Sequence, residues 1–274
     1  MNEDIYDVLI VGAGVAGLSA ATVLGRAHRS VLLVDNGKQS NLISKEAHAV
    51  FTRDKTPPSD LYKIANEQLH NYKTVHPVSG VIKKIKKNGN IFEVTIEKLG
   101  TFMSKSVLLS QGMNYTPLDI MGMRDIFGNE AWHCPYCEGY EANGKKVLAI
   151  YELASQEHMK KLLPIWIEDL HFKTPNEVIS VIKKHDGIHA QIDDGSVEIY
   201  DEIAVQTFMT QRDDIHRQLK CTLTETGRIQ VDPFGHTSSL GVFSAGDQAS
   251  DMSQINLAVS SGHIAGIGLN MFLS

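Results

Sequence analysis

Two cysteines separated by two residues are the part of this sequence best suited to chemistry. Cys134 and Cys137 lie in the stretch HCPYCEGYE, and the chain of 274 residues has one further cysteine, Cys221. A pair with this spacing exchanges electrons as dithiol and disulfide, or it supplies two ligands to a metal. Structural zinc takes four ligands, and the sequence has no second CxxC. We therefore predict a redox pair and no metal.

Two titratable residues flank this pair. His133 precedes Cys134 and as an imidazolium would stabilise a thiolate, although a loop histidine is often merely solvated. Glu138 follows Cys137, where a carboxyl with a raised pKa would move the protons that accompany thiol chemistry. The alternative for Glu138 is an ordinary exposed glutamate. Both residues are candidate catalytic groups.

The N-terminal part of the chain predicts a dinucleotide-binding βαβ unit. The strand-like run IYDVLIV leads into GAGVAG at 12–17, a helix of small residues and a second strand, VLLVDN. These glycines allow close approach of a pyrophosphate to a helix N-terminus, and the acid after the second strand suits ribose hydroxyls. The residues that we assign to the cofactor from this motif are Gly12, Gly14, Ala16, Gly17 and Asp35.

Composition excludes several other functions. The hydrophobic fraction is 42% and the charged fraction 21%, as in ordinary globular proteins. A net charge of −6 gives no general attraction for nucleic acid, and we predict none. The acidic start and the lack of an apolar stretch of about 20 residues predict a cytoplasmic protein without a membrane segment.

The remaining patterns predict further α/β structure. A β-meander is expected over 78–110, a second βαβ unit over 145–173, and a short strand, LGVFSAGD, before an Ala/Gly-rich C-terminal helix. The tetrapeptide VIKK occurs at 81–84 and again at 181–184, each time before a meander. Two related units are therefore expected.

GAGVAG, the central CxxC and the late GVFSAGD, in this order, resemble the low-molecular-weight thioredoxin reductase family. The resemblance implies an α/β fold of two Rossmann-like domains with three-layer ββα architecture. Residues 1–113 and 225–274 would form a discontinuous FAD-binding domain. Residues 114–224 would form an inserted, shortened nicotinamide-type domain that carries the CxxC. It also implies a homodimer, with Glu138 at the position of an acid/base residue.

The segment 40–58 is most similar to the dithiol oxidase branch of that family, which acts on small-molecule natural products. That branch usually has Arg-Asn, His-Gly and Asp-Gly where this chain has Ser40-Asn41, His48-Ala49 and Asp54-Lys55. The resemblance places Asp35, Asn41 and His48 along the FAD adenosine and diphosphate, and Asp247 at the ribityl chain or phosphate. Gln254 and Ile255 would reach the isoalloxazine, and Gly112 and Gly246 complete the predicted cofactor site.

A second nucleotide loop is predicted to be lost. Where the family has glycines after the strand KVLAI, this chain has Tyr151, Leu153 and Gln156, and Glu152 adds negative charge. Bulky side chains at such positions fill the space of a pyrophosphate. Only one lysine, Lys173, follows the next strand, where the 2′-phosphate of NADPH needs basic residues. The alternative is a divergent loop that aligns differently.

These observations predict an FAD-dependent thiol–disulfide oxidoreductase that works without NADPH, most simply a dithiol oxidase. Its partner would be a small dithiol or disulfide. One alternative is a thioredoxin reductase that acts on a thioredoxin-like protein and takes electrons from a ferredoxin-type donor or from NADPH. Another is a flavin redox sensor without turnover.

Overall fold

The computed structural model describes residues 5–274 as two compact units. Within these residues, unit 1 comprises the chain up to Ser40, Ser59–Asn114 and Thr210–Ser274, and unit 2 comprises Asn41–Pro58 and Tyr115–Met209. The acidic start, Met1–Asp4, lies outside the described residues. No helix between residues 5 and 274 is long and apolar enough to cross a membrane.

The limits of the units differ from the predicted domain limits in two places. Asn41–Pro58 groups with unit 2, where Ile43 lies against Gly128. The stretch from 210 to 224 groups with unit 1 because Ile215 and Leu219 enter its apolar core. The domain limits 1–113, 114–224 and 225–274 stay a prediction, from which the compact units differ at these two segments.

Residues 5–274 form sixteen strands and seven α-helices. The strands are β1 (Ile5–Val11), β2 (Val31–Asp35), β3 (Val75–Ser79), β4 (Ile82–Asn88), β5 (Ile91–Ile96), β6 (Gly100–Leu109), β7 (Met113–Pro117), β8 (Ala131–Trp132), β9 (Lys146–Ile150), β10 (Asp169–Lys173), β11 (Val178–Lys184), β12 (Gly187–Ile192), β13 (Val197–Tyr200), β14 (Glu202–Val205), β15 (Thr207–Gln211) and β16 (Val242–Ser244). The helices are α1 (Val15–Arg26), α2 (Pro58–Leu69), α3 (Met123–Ile126), α4 (Pro135–Glu138), α5 (Leu153–Leu162), α6 (Ile215–Gln218) and α7 (Ile255–Phe272).

Unit 1 is built on a sheet of seven strands in the order β3-β2-β1-β6-β5-β4, with β16 also paired to β6. The strands β1, β2, β3, β6 and β16 run parallel, and the predicted meander β4-β5-β6 is antiparallel. Side chains of β1 alternate between two cores: Val8 and Ile10 face the helices, and Leu9 and Val11 face the meander. Burial on both faces explains why the second half of this strand, residues 8–11, is entirely apolar.

Helices α1 and α7 pack closely on one face of this sheet. A Cβ at Gly262 would lie 2.1 Å from the carbonyl oxygen of Ala16, and one at Gly17 would lie 2.0 Å from that of Gly12. Glycine is therefore required at both positions. The close contact fixes the start of α1 beside the loop that follows β1.

Unit 2 contains the predicted second βαβ unit, β9-α5-β10, within a parallel sheet of order β10-β9-β14-β8. The strand β10 continues through a short 3₁₀ turn directly into the antiparallel meander β11-β12-β13. The VIKK segment at 81–84 leads into β4, whereas the one at 181–184 ends β11, so the two copies do not occupy equivalent positions in their meanders. The prediction of an α/β fold of two Rossmann-like domains is confirmed.

Candidate active site

The two cysteines of the CxxC form a disulfide in unit 2. Cys134 immediately precedes the single turn of α4, Cys137 lies within that turn, and their Cα atoms are 5.3 Å apart. Cys137 N–H donates to the Cys134 carbonyl oxygen at 3.1 Å, so the helical turn brings the two cysteines close together. Tyr136, between them, is exposed and packs edge-on against Trp166. The geometry suits a pair that cycles between dithiol and disulfide.

Glu138 ends the α4 turn next to Cys137. Burial raises the pKa of its carboxyl, and Glu141 and Glu202 raise it further, while His48 and Lys145 oppose this effect. A carboxyl that holds its proton closer to neutral pH is suited to proton transfer at the adjacent sulfur. The environment of Glu138 therefore agrees with the acid/base hypothesis rather than with an exposed glutamate.

His133 does not have the environment of an imidazolium. Its ring packs between Tyr115 and Phe127, with ring centroids at 5.1 and 5.9 Å. Burial lowers the pKa of His133 to about 4, so the ring is neutral at physiological pH. The hypothesis that its positive charge stabilises a thiolate is corrected accordingly. His133 instead supports the peptide chain before Cys134 through aromatic packing.

His48 lies in unit 2, on the segment Asn41–Pro58. Its Nδ1 is 3.4 Å from Oε1 of Glu141, and its Nε2 is 4.0 Å from Oε2 of Glu46. Asn41 belongs to the same segment and is half-buried in a 3₁₀ turn, Ser40–Ile43. The structure thus brings His48 together with the acids that follow the disulfide, a grouping that sequence reasoning missed.

In unit 1 the predicted nucleotide-binding residues meet at one edge of the sheet. The carboxyl ends of the parallel strands β1, β2, β6 and β16 lie along that edge, where ligands bind in α/β sheets. Asp35 joins two of the loops there: Oδ1 accepts from Ala13 N–H at 2.8 Å, and Oδ2 accepts from Gly37 N–H and Gln39 Nε2 at 2.8 Å. The acid and the glycine loop are therefore adjacent, as the motif predicts.

The glycine loop leaves room in front of helix α1. A Cβ at Gly12, whose φ is +95°, would meet the Ser110 carbonyl oxygen at 2.7 Å. Gly14 caps α1 without a side-chain hydrogen bond, and a Cβ there has open space around it, with Ser110 O at 3.8 Å. The backbone N–H groups of the first turn thus remain available to an anion.

The other predicted cofactor residues lie at the ends of β6 and β16 and at the start of α7. Gly112 has φ +71° and nothing near a Cβ, and Gly246, with φ +76°, donates its N–H to Ser261 Oγ at 3.0 Å. Asp247 begins a 3₁₀ turn, Gln254 caps α7, and Ile255 is its first residue. All three side chains are half-buried.

The family model for pyridine nucleotide-disulphide oxidoreductases matches residues 6–159 and 166–262. The chain belongs to this family. Thioredoxin reductase tcpT of Claviceps purpurea is 28% identical over 97% of this chain and 93% of its own length. Thioredoxin reductase sirT of Leptosphaeria maculans is 28% identical over 97% and 94%. An oxidoreductase from Agrobacterium tumefaciens superposes with a TM-score of 0.91 at 27% identity and 98% coverage of both chains.

Membership makes this chain a flavin-dependent disulfide oxidoreductase of the thioredoxin reductase type, with FAD as cofactor. The edge in unit 1 fits that cofactor, because the helix N-terminus, the glycine loop and Asp35 are groups of the kind that a diphosphate and a ribose need. The predictions of family, enzyme class and cofactor are confirmed.

In unit 2, side chains occupy the loop between β9 and α5, where the family resemblance predicts a second nucleotide loop. Tyr151 is 3% exposed and packs into the core with Trp132 and Leu163. Gln156 is 5% exposed and donates from Nε2 to the Tyr151 carbonyl oxygen at 3.1 Å. The N–H of Glu152, at the start of α5, donates to Gln206 Oε1 at 3.0 Å. One of the N–H groups that a phosphate needs is therefore already bonded within the protein.

The single lysine after β10 is also paired. Lys173 Nζ lies 3.3 Å from Glu198 Oε1. The adjacent turn closes as a capping box, in which Thr174 N–H and Oγ1 donate to Glu177 Oε2 at 2.6 and 2.7 Å. Only this 3₁₀ turn, Pro175–Glu177, lies between β10 and β11.

Arg212 is a second residue that sequence reasoning missed. Its guanidinium donates to the Lys38 carbonyl oxygen at 2.5 Å and to Ser40 Oγ, on the loop that follows Asp35. Its Nε is buried without a hydrogen-bond partner, and among residues 5–274 no carboxylate pairs with it. An unpaired cation on the nucleotide edge suits an anionic ligand. Only the three-dimensional contact reveals it, because Arg212 is far from this loop in sequence.

Other candidate ligands and thiols have ordinary roles. His185 and His189 have a spacing seen in metal sites, but both contact Asp186 at the β11–β12 turn. Across residues 5–274 no group of three or more His, Cys, Asp or Glu is arranged to hold a metal ion. Cys221 is half-buried beside Thr237, and burial raises the pKa of its thiol.

Proposed function

We propose that this flavoenzyme is a dithiol oxidase, which passes electrons from a small dithiol through Cys134 and Cys137 to FAD without NADPH. The observation that carries the proposal is the filled loop of unit 2, where Tyr151 and Gln156 replace the open glycine turn of a nucleotide site. This filled loop supports entry of electrons through the cysteine pair rather than from a bound pyridine nucleotide.

The backbone of the segment 40–58 supports the assignment to the dithiol oxidase branch. The two positions where dithiol oxidases have glycine, Ala49 and Lys55, have φ values of 56° and 59° here. This left-handed backbone is the conformation that favours glycine. The backbone of the segment thus keeps the form that the branch pattern predicts although the glycines themselves are absent, which strengthens the resemblance.

The cysteines perform the exchange in two steps. A substrate thiolate attacks Cys134 Sγ, which breaks the disulfide, forms a mixed disulfide and releases Cys137 as a thiolate. The second substrate thiol then attacks the substrate sulfur of the mixed disulfide and releases the oxidised product, so both cysteines become reduced. Glu138, beside Cys137, donates and accepts the protons that accompany these steps.

FAD, when bound, supplies the two-electron acceptor that returns the cysteines to the disulfide. We assign its diphosphate to the loop of Gly12 and Gly14 and its ribose to Asp35. We assign its ribityl chain or phosphate to Asp247 and its isoalloxazine to Gln254 and Ile255. Over the whole cycle one dithiol becomes a disulfide while one O₂ becomes hydrogen peroxide.

Anaerobic mixing tests the electron source. We expect dithiothreitol to bleach the flavin absorbance of the holoenzyme and NADPH or NADH to leave it unchanged. The Cys134→Ser/Cys137→Ser double variant, with its flavin retained, should no longer respond to the dithiol. In air, the wild type should consume oxygen and form peroxide. Rapid bleaching of the flavin by NADPH would contradict the proposal and indicate an ordinary pyridine-nucleotide-dependent reductase.

A thioredoxin-type protein is the second candidate partner, because the relatives tcpT and sirT are named thioredoxin reductases. In that case a ferredoxin-type donor reduces the flavin, and reduced thioredoxin is the product. Reduction of insulin by added thioredoxin, driven by reduced ferredoxin, would favour this alternative over the oxidase. A bleached flavin that neither oxygen nor a disulfide reoxidises would indicate a sensor. We also propose the homodimer that the family resemblance implies.

A further inference from the structure

The side-chain amide of Gln111 is bonded within the protein at its nitrogen but not at its oxygen. Gln111 follows β6 in unit 1, and its Nε2 donates to Oδ1 and Oδ2 of Asp213 at 3.2 and 3.0 Å. Its Oε1 is buried, and among residues 5–274 no group donates a hydrogen bond to it. A buried acceptor without a donor is unfavourable, and native proteins seldom contain one. The unbonded oxygen therefore needs a specific explanation.

The orientation of this amide is fixed by Asp213. A carboxylate accepts hydrogen bonds, so the NH₂ group must face Asp213 while the amide oxygen must face away from it. Asp213 is itself held at the start of α6, where its Oδ1 accepts from Ile215 N–H at 3.0 Å. Rotation of the amide by half a turn would place Oε1 against the carboxylate oxygens and would not satisfy it. The unbonded acceptor is thus a consequence of the fold.

The backbone of Gln111 contacts two parts of the predicted FAD site. A Cβ added at Gly12 would lie 2.8 Å from the Cα of Gln111, so the glycine loop lies directly against this residue. Gln111 N–H also donates to Gln248 Oε1 at 2.6 Å. Gln248 is 2% exposed and follows Asp247 in a 3₁₀ turn. Gln111 therefore joins the loop that we assign to the diphosphate to the turn that we assign to the ribityl chain or phosphate.

An unbonded donor accompanies the unbonded acceptor. Arg212 precedes Asp213, and its Nε is likewise buried with no hydrogen-bond partner within the described part of the chain. A ligand site commonly contains a few such polar groups, which bond to the ligand rather than to the protein. FAD has the complementary groups, because its phosphate oxygens accept hydrogen bonds and its sugar hydroxyls donate them.

Gln218, in the same unit, shows a similar amide that is fully bonded within the protein. Its Nε2 donates to Asp214 Oδ1 at 2.9 Å, and its Oε1 accepts from Ile85 N–H at 2.9 Å. Both glutamines donate to an aspartate, and they differ in the bonding of the amide oxygen. Gln218 is therefore a matched control for Gln111.

We propose that Gln111 is an FAD-binding residue whose Oε1 accepts a hydrogen bond from a hydroxyl group of the cofactor. The inference rests on the assignment of FAD to this edge in the proposed function, and it does not depend on the source of the electrons. The hydroxyl belongs either to the ribityl chain, which we assign to Asp247, or to the ribose, which we assign to Asp35. Both sugars present the same kind of donor to the amide oxygen.

Fluorescence titration of the apoprotein with FAD tests the proposal. Gln111→Met keeps the length of the side chain and removes the amide. We expect it to bind FAD about fivefold more weakly, as for the loss of one hydrogen bond between neutral groups. Gln218→Met should keep the FAD affinity of the wild type, although it loses two hydrogen bonds within the protein. Gln111→Ala provides the same measurement if Gln111→Met fails to fold.

Thermal unfolding with and without FAD is the second readout. Gln218→Met should lower the unfolding temperature of the apoprotein. Gln111→Met loses the bond to Asp213 together with the unsatisfied oxygen, so its apoprotein should unfold close to the wild-type temperature. Addition of FAD should then raise the unfolding temperature of Gln111→Met less than that of the wild type. An equal decrease with and without FAD would mean that Gln111 is only structural and would contradict the proposal.

ADP is the second probe and identifies the hydroxyl. ADP contains the ribose and the diphosphate of FAD but no ribityl chain. If Gln111→Met weakens the binding of ADP and FAD by the same factor, the hydroxyl is on the ribose. If it weakens the binding of FAD alone, the hydroxyl is on the ribityl chain. Either result supports a hydrogen bond from the cofactor to Gln111.

Unchanged FAD affinity in the folded Gln111 variants, or an equal loss in Gln218→Met, would overturn the proposal. If Gly14→Leu still loses FAD in that case, the assignment of FAD to this edge stands and only the role of Gln111 is wrong. If Gly14→Leu also keeps its FAD, the assignment to this edge is wrong as well. Bleaching of the flavin by NADPH would contradict the dithiol oxidase proposal but would leave these affinities unchanged.

Discussion

The units β1-α1-β2 and β9-α5-β10 are built alike, but the loops before their helices differ. In the first, glycine leaves the N-terminus of α1 open, and Asp35 bonds to the glycine loop. In the second, the loop before α5 is closed by Tyr151, Gln156 and Gln206. The comparison teaches that a βαβ unit keeps its form both when the loop before its helix is open and when core side chains and internal hydrogen bonds close that loop.

Gly14→Leu should produce the largest effect, because it converts the open loop into a filled one. A side chain at this position enters the space in front of α1 rather than the protein, since the nearest atom to a Cβ is 3.8 Å away. We expect the variant to fold and to bind FAD at least roughly a hundredfold more weakly, about 2.8 kcal/mol. Flavin content and titration of the apoprotein with FAD measure this.

Gly37→Ala is the control for Gly14→Leu. It lies on the same edge, with φ +72° and nothing within 4 Å of a Cβ, so it adds backbone strain without blocking the helix N-terminus. Its FAD content should match the wild type. If Gly14→Leu kept the full FAD content of the wild type, the assignment of the diphosphate to this loop would be wrong.

Substitution of Arg212, which lies at the same edge as the open loop of β1-α1-β2, should have a smaller effect on FAD affinity. Its guanidinium is fixed at Lys38 and Ser40 but has no carboxylate partner among the described residues. If it faces the FAD diphosphate, Arg212→Met should weaken FAD binding about tenfold, or about 1.4 kcal/mol, as for one charge-assisted contact.

A swap makes the test of Arg212 sharper. Ser40 stands where the dithiol oxidase branch has arginine, so Ser40→Arg combined with Arg212→Ser should regain most of the affinity. Fluorescence titration with FAD compares the three proteins. If Arg212→Met lowered thermal stability without changing FAD affinity, Arg212 would only stabilise the loop that contains Lys38 and Ser40.

A substitution in the closed loop before α5 should have a smaller effect, an increase in the free energy of unfolding. The hydroxyl of Tyr151 is buried without a hydrogen-bond partner, and its burial raises the pKa of the phenol. Tyr151→Phe removes this unsatisfied group and should raise the free energy of unfolding by about 1 kcal/mol. Tyr200→Phe is the matched control in the same unit: its hydroxyl donates to Glu198, so its loss should destabilise by about 1 kcal/mol. Denaturant unfolding distinguishes the two signs.

Local patterns could be predicted from the sequence, and long-range contacts could not. The glycine loop, Asp35 and the closed position at Tyr151 follow from residue types next to one strand, because a βα turn is determined locally. The contact of His48 with Glu141 joins distant parts of the chain, so neither residue carries a local signal for it. The pKa of His133 likewise depends on Tyr115 and Phe127, which pack around it only in the folded protein.

The smallest expected effect concerns the segment that carries His48. Ala49 has φ 56°, in the left-handed region where a Cβ is unfavourable. Ala49→Gly relieves that strain but adds freedom to the unfolded chain, so we expect a net gain of about 0.5 kcal/mol in the free energy of unfolding. Ala154→Gly, on the exposed start of α5, has only the entropic cost and should lose about 0.5–1 kcal/mol. Chemical denaturation of both variants gives the two signs directly. Equal destabilisation by both substitutions would mean that the left-handed residue is not strained, and the backbone argument for the dithiol oxidase branch would lose its support.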